Sequence, residues 1–126
     1  MTSLSINFQI HLHAEPNSGK ITSESMMATT FELLAERLQR FERLHFEMDG
    51  SFVWTGSTPS PWQLDGMVYD LGSQIQRIEL KGNCPKVEWN MLLFAINYPE
   101  QPLIAYDLHA TQFTTIQQLE SCLWSP

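Results

Sequence analysis

From Leu4 to His13 the chain alternates without a break. Leu4, Ile6, Phe8, Ile10 and Leu12 fall on one side, and Ser5, Asn7, Gln9, His11 and His13 on the other. A period of two over that length predicts a half-buried strand, closed by the turn-forming run Glu15-Pro-Asn-Ser-Gly19. The period then lengthens. Thr22-Ser23-Glu24 offers a hydroxyl cap and an early acid, and Met27, Phe31, Leu34, Leu38 and Phe41 follow at spacings of 4, 3, 4 and 3. That is one apolar stripe, on a helix of roughly 20 residues and about 30 Å. The other side carries Glu32, Glu36, Arg40 and Arg43, with Glu36 and Arg40 spaced as an i,i+4 ion pair.

Two hairpins come next. Leu44 to Met48 and Ser51 to Thr55 flank Asp49-Gly50, a pair suited to a type I′ turn. The proline-containing stretch Gly56 to Pro61 separates this hairpin from a second one, Trp62 to Lys81, whose turn falls within Asp70 to Gln74. Asn83 or Cys84 then caps a helix with Pro85 at an early position. From Lys86 to Tyr98 that helix is apolar almost all round, through Val87, Trp89, Met91, Leu92, Leu93, Phe94 and Ile96. Such a helix is buried on more than one side or meets another subunit. Leu103 to Leu108 predicts a short central strand. Thr115 and Gln118 form a capping box before a final amphipathic segment through Ile116, Leu119 and Leu123. The order is β-α-β-β-β-β-α-β-α. It predicts an α+β domain whose mostly antiparallel or mixed sheet is flanked by two main helices.

Composition narrows the function. At 126 residues and 43% hydrophobic, the chain suits a single domain that holds a core without disulfide or metal. Seven basic against fourteen acidic residues give a net charge of −7, which disfavours nucleic acid and anionic membranes as general partners. Cys84 and Cys122 make no CxxC motif. With no secretory leader and no long apolar run, a cytoplasmic protein with free thiols is expected.

The second hairpin holds the candidate chemistry. With its turn centred on Gly72, Asp65 falls opposite Glu79, Gln63 opposite Lys81 and Met67 opposite Arg77. Directly opposed carboxylates repel unless a positive charge lies between them, and Mg²⁺ is held by one or two carboxylates with waters and phosphate oxygens. Lys81, two residues from Glu79, shares its face and is placed to stabilise charge developing on a phosphate. A turn at Asp65-Gly66 itself is the competing reading, and would take Asp65 out of the strand.

Asp65-Gly66-Met-Val-Tyr-Asp70, a glycine-containing turn and Ile78-Glu79-Leu80-Lys81 together resemble the PD-(D/E)xK, or restriction-endonuclease-like, nuclease motif, over about residues 24–108. Leu64 stands where that motif has proline. The resemblance implies a core of helix, three strands, helix and strand. It also implies Asp65 and Glu79 as metal ligands, Lys81 as catalytic lysine, and a further glutamate on the first helix, Glu32 or Glu36. The enzyme so implied is a Mg²⁺-dependent nuclease or phosphodiesterase, active or degenerate. The alternative is a small acidic interaction or accessory domain without catalysis, binding a basic protein or forming a homo-oligomer. Its basis is the net charge and the apolar second helix.

Other residues read more simply. His11 and His13 form a His-x-His pair on a solvent-facing strand. Cys84 is a small residue before Pro85 rather than a reactive thiol. Trp54, Trp62, Trp89 and Trp124 suggest a ligand groove as a third option, with Trp89 in the core and Trp62 beside the candidate site.

Overall fold

The computed structural model describes residues 4–16, 20, 25–57 and 61–124. Its elements are β1 (Phe8–Ala14), α1 (Phe31–Leu38), β2 (Leu44–Phe46), β3 (Ser51–Thr55), β4 (Gln63–Leu71), β5 (Gln74–Gly82), α2 (Lys86–Ile96), β6 (Leu103–Asp107), β7 (Gln112–Thr115) and α3 (Ile116–Leu123). The α+β class is as expected, but the order differs from the sequence reading by one strand, β7. All seven strands form one antiparallel sheet in the order β2-β3-β4-β5-β1-β6-β7. The first strand of the chain is therefore interior, seated between β5 and β6. Among the described residues, no helix is long and apolar enough to cross a membrane.

One face of the sheet is covered and the other is open. Phe8, Ile10, Leu12, Phe52, Trp54, Leu64, Val68, Ile78 and Leu80 point to the covered face, where they join a single core with residues of all three helices. Alternation carries this arrangement along β1, whose residues are buried and half-buried in turn. Before Phe8 the predicted strand stops. Ser5 donates its backbone N–H to the Cys84 carbonyl and Ile6 to that of Leu123, so Ser5 is buried while Leu4 and Ile6 are exposed.

The predicted first helix shortens to Phe31–Leu38; its expected start at Thr22 to Glu24 lies outside the described residues. The segment before it is held extended against the second hairpin. Met27 and Phe31 donate backbone N–H groups to the carbonyls of Ile75 and Ser73, and Thr30 bridges Gln74. Thr30 then caps α1 by accepting from the Leu33 N–H. Past Leu38, Phe41 turns off the helix and stacks on Trp54, ring centroids 5.0 Å apart. The stripe residues Met27, Leu34 and Leu38 still reach the core, and Phe31 and Phe41 pack against it. The hydrophobic period reported burial correctly, but sheet contacts took over the backbone at both ends.

The first hairpin turn differs from expectation, while the second falls within Asp70 to Gln74 as expected. Gly50 donates its N–H to the Glu47 carbonyl and Glu47 to that of Ser51. The loop is thus a turn over Met48 and Asp49, followed by Gly50 at φ 99°, rather than a two-residue type I′ turn. Asp49 stabilises it by accepting from both the backbone N–H and the hydroxyl of Ser51. In the second hairpin the turn is Gly72-Ser73 between Leu71 and Gln74, and one extra residue, Gln76, is inserted on β5. That bulge lets Ile75 and Ile78, three apart, both point into the core.

Helix α2 starts at Pro85, which makes no side-chain cap bond, and ends at Asn97 with φ 78°. Neither Asn83 nor Cys84 caps it. The Cys84 N–H is taken by the Ser5 hydroxyl. The capping box at Thr115 and Gln118 forms as expected, and Ile116, Leu119 and Leu123 are all buried.

Candidate functional site on the open sheet face

The turn at Gly72-Ser73 and the bulge at Gln76 together set the register of the candidate residues. Asp65 lies opposite Lys81, and Glu79 opposite Met67. This corrects the expected pairing of Asp65 with Glu79, which assumed a symmetric hairpin about Gly72. The correction shifts the strands by two residues, so the face is unchanged. Asp65, Glu79 and Lys81 all lie on the open side, with the two carboxylates diagonal. Asp65-Gly66 is not a turn; both residues pair within β4. Gly66 is where it is because the Phe52 ring lies over it, and an added Cβ would come within 2.1 Å of that ring.

Glu79 is already surrounded. The strand β1 places His11 directly opposite it, with His11 Nε2 3.5 Å from Oε2. Arg77 donates from Nε to the same oxygen at 2.9 Å, and the Tyr69 hydroxyl donates to Oε1 at 3.4 Å. The Arg77 guanidinium also sits 3.9 Å from the centroid of the Tyr69 ring. Asp65 accepts from the Gln63 amide at 2.8 Å. The half-buried His11, Tyr69, Arg77 and Glu79 tie β1, β4 and β5 together across the open face, while Gln63 and Asp65 are exposed and bond within β4. Next to them His13 meets Phe113 edge-on, and Phe113 packs against Tyr106. Burial, then the charges of His11 and Arg77, holds the pKa of His13 below the usual histidine value.

The donor set does not suit a divalent cation as it stands. Asp65 faces an ammonium-bearing strand position, and both oxygens of Glu79 accept from neighbouring side chains. Among the described residues no group of three His, Cys, Asp or Glu side chains gathers to hold a metal. Glu32 and Glu36 lie on α1, on the other side of the sheet, and Glu36 pairs with Arg40 at 2.6 Å. What the arrangement does bring together is Asp65, Glu79, Lys81 and His11 around one shallow hollow of about 210 Å³.

Other candidates resolve into the core. Cys84 is fully buried, and burial together with Glu88 pushes its thiol up to about 12. Trp62 is not beside the hollow. It turns to the covered face and meets Trp54 edge-on at 5.6 Å. Trp89 is in the core, its indole N–H donating to Glu120 at 2.8 Å.

Reading for charged motifs passed over an exposed apolar groove. Between α1 and α2 runs a groove of about 690 Å³, walled by Arg37, Arg40 and Phe41 on one side and by Val87, Met91 and Phe94 on the other. Phe94 is 79% exposed, Val87 49% and Met91 38%. The signal was in the sequence, since these three recur at i, i+4 and i+7 on a helix apolar all round. Compared with family models, curated proteins and solved structures, the chain gives no match in any of the three.

Proposed function

We propose that this chain is a non-catalytic interaction domain that binds a protein segment in the α1–α2 groove, in a cytosol where its thiols stay reduced. One observation carries the reading. Helix α2 buries Trp89, Leu92, Leu93 and Ile96 in the core, yet presents Val87, Met91 and Phe94 as a second apolar stripe on its outer side. Leaving that stripe in water forgoes about 25 cal/mol for each Å² that burial would remove, and a contiguous apolar strip of this kind marks an interaction surface. Its spacing is that of a helix-in-groove contact. The test is Phe94→Asp. Because the side chain is exposed, the variant should keep its melting temperature while losing groove-dependent binding; a wild-type level of binding would end the reading.

A second reading is a phosphodiesterase of the PD-(D/E)xK type, active or relic. It is supported by Asp65, Glu79 and Lys81 sharing one face around one hollow. Its assay is Mg²⁺- or Mn²⁺-dependent cleavage of DNA or RNA, comparing wild type with Lys81→Ala. Equal cleavage by both, or none by either, would sink it.

A further inference from the structure

We infer that the occupant of the α1–α2 groove is an amphipathic helix bearing acidic residues beside its apolar stripe. This rests on the interaction-domain reading and adds the chemistry of the partner. Two features of the groove select it. The first is shape: Val87, Met91 and Phe94 form a straight row along α2, and Phe41 faces them from the end of α1. A helix presenting its own i, i+4, i+7 row matches such a surface.

The second is charge. The chain as a whole carries twice as many acids as bases, but Arg37 and Arg40 line this groove and no carboxylate does. Arg37 is fixed there by donating to the Ala95 carbonyl at 2.7 Å, with its other guanidinium N–H groups left to serve a ligand. Arg40 is exposed and pairs with Glu36 along the outer side of α1. Net charge pointed to a basic partner, whereas the charged side chains that line the groove are these two arginines, one of them paired with Glu36. A second copy of the chain fits less well. A two-fold contact sets each patch against itself, which would gather four arginines in one interface and add no lining carboxylate to pair them.

The experiment is a display selection on the full-length protein. The probe is a library of helical peptides with leucine fixed at i, i+4 and i+7 and the flanking positions randomised. Phe94→Asp and Phe94→Ala serve as counter-targets, with circular dichroism checking that each is folded. Enrichment of Asp and Glu in the flanks is expected. The best peptide should lose roughly a hundredfold in affinity against Phe94→Asp, and about two- to fivefold against Arg40→Gln. Added salt should weaken it. Peptides that depend on Phe94 but carry neutral or basic flanks, or ignore Arg40→Gln, would overturn the acidic partner and leave the groove reading intact. A selection with no Phe94-dependent peptide would overturn both. Self-association of the free protein that is lost in Phe94→Asp would make a second copy the occupant, against the inference.

Discussion

The open sheet face and the α1–α2 groove make opposite use of their side chains. On the open face the charged groups around Glu79 satisfy one another: Glu79 accepts from Arg77 and Tyr69 and lies beside His11. In the groove the apolar groups of Val87, Met91 and Phe94 stay exposed. Charged residues draw the eye because catalysis needs them, yet a carboxylate already neutralised by an arginine holds strands together at little cost. An apolar stripe has no such way to satisfy itself within its own chain. Unpaired surface is therefore the stronger guide to function here.

The largest effect should separate the two sides of α2. Trp89→Ala, which empties a core position between Phe8 and Trp124, should cost about 3–5 kcal/mol by denaturant unfolding. Phe94→Asp on the outer side should stay within about 0.5 kcal/mol of wild type. Comparable losses at both positions would mean that the groove is part of the core, and the contrast would fail.

On the open face, Glu79→Gln should cost about 1 kcal/mol or less, because the ion pairs it removes are partly exposed. Measuring it beside Arg77→Gln and the double variant gives the coupling between the two. No measurable coupling would show that the pair does not hold the face together. The thiols offer a chemical check of the covered side. In native protein one thiol, exposed Cys122, should react with a thiol reagent, while Cys84 should react only after unfolding. Burial raises the Cys84 pKa to about 12 and leaves it no thiolate near neutral pH.

The smallest effect is a pH dependence from His13. Its pKa is lowered in the fold, chiefly by burial and then by His11 and Arg77, so the native state favours the neutral ring. The unfolded chain binds the proton first as pH falls. The contribution is therefore complete above about pH 6.5 and is lost as pH drops from there through the lowered native value. His13→Gln should flatten the fall in unfolding midpoint between about pH 7 and pH 5; an unchanged slope would assign it to other groups.

Much of the burial pattern was legible from local periodicity. Phe8, Ile10 and Leu12 in β1, the stripe of α1 and the capping box of α3 all follow from residues a few positions apart. The failures share a cause. The helix expected from residue 22 begins at Phe31 because Met27 to Phe31 pairs with Ser73 to Ile75, more than forty residues later in the chain. The strand β7 was missed because Gln112 to Thr115 carries little apolar pattern; Phe113 finds its partners only across the sheet, in His13 and Tyr106.

By itself, then, the sequence determined which residues are apolar at which period. That decided the α+β class, the face of strands such as β1 and the all-round apolar character of α2. It also decided that Asp65, Glu79 and Lys81 share a face, because a shift of two residues preserves side-chain direction. Only the tertiary structure decided who stands opposite whom. The two-residue turn Gly72-Ser73 and the bulged residue Gln76 each moved the pairing by one, so that Asp65 meets Lys81, and the insertion of β1 beside β5 brought His11 to Glu79. Likewise, helix periodicity marked α2 as apolar on every side, but only the packing of α1 and the sheet against it determined which side was left uncovered. Local pattern depends on the next few residues, whereas register and cover depend on contacts between segments far apart in the chain.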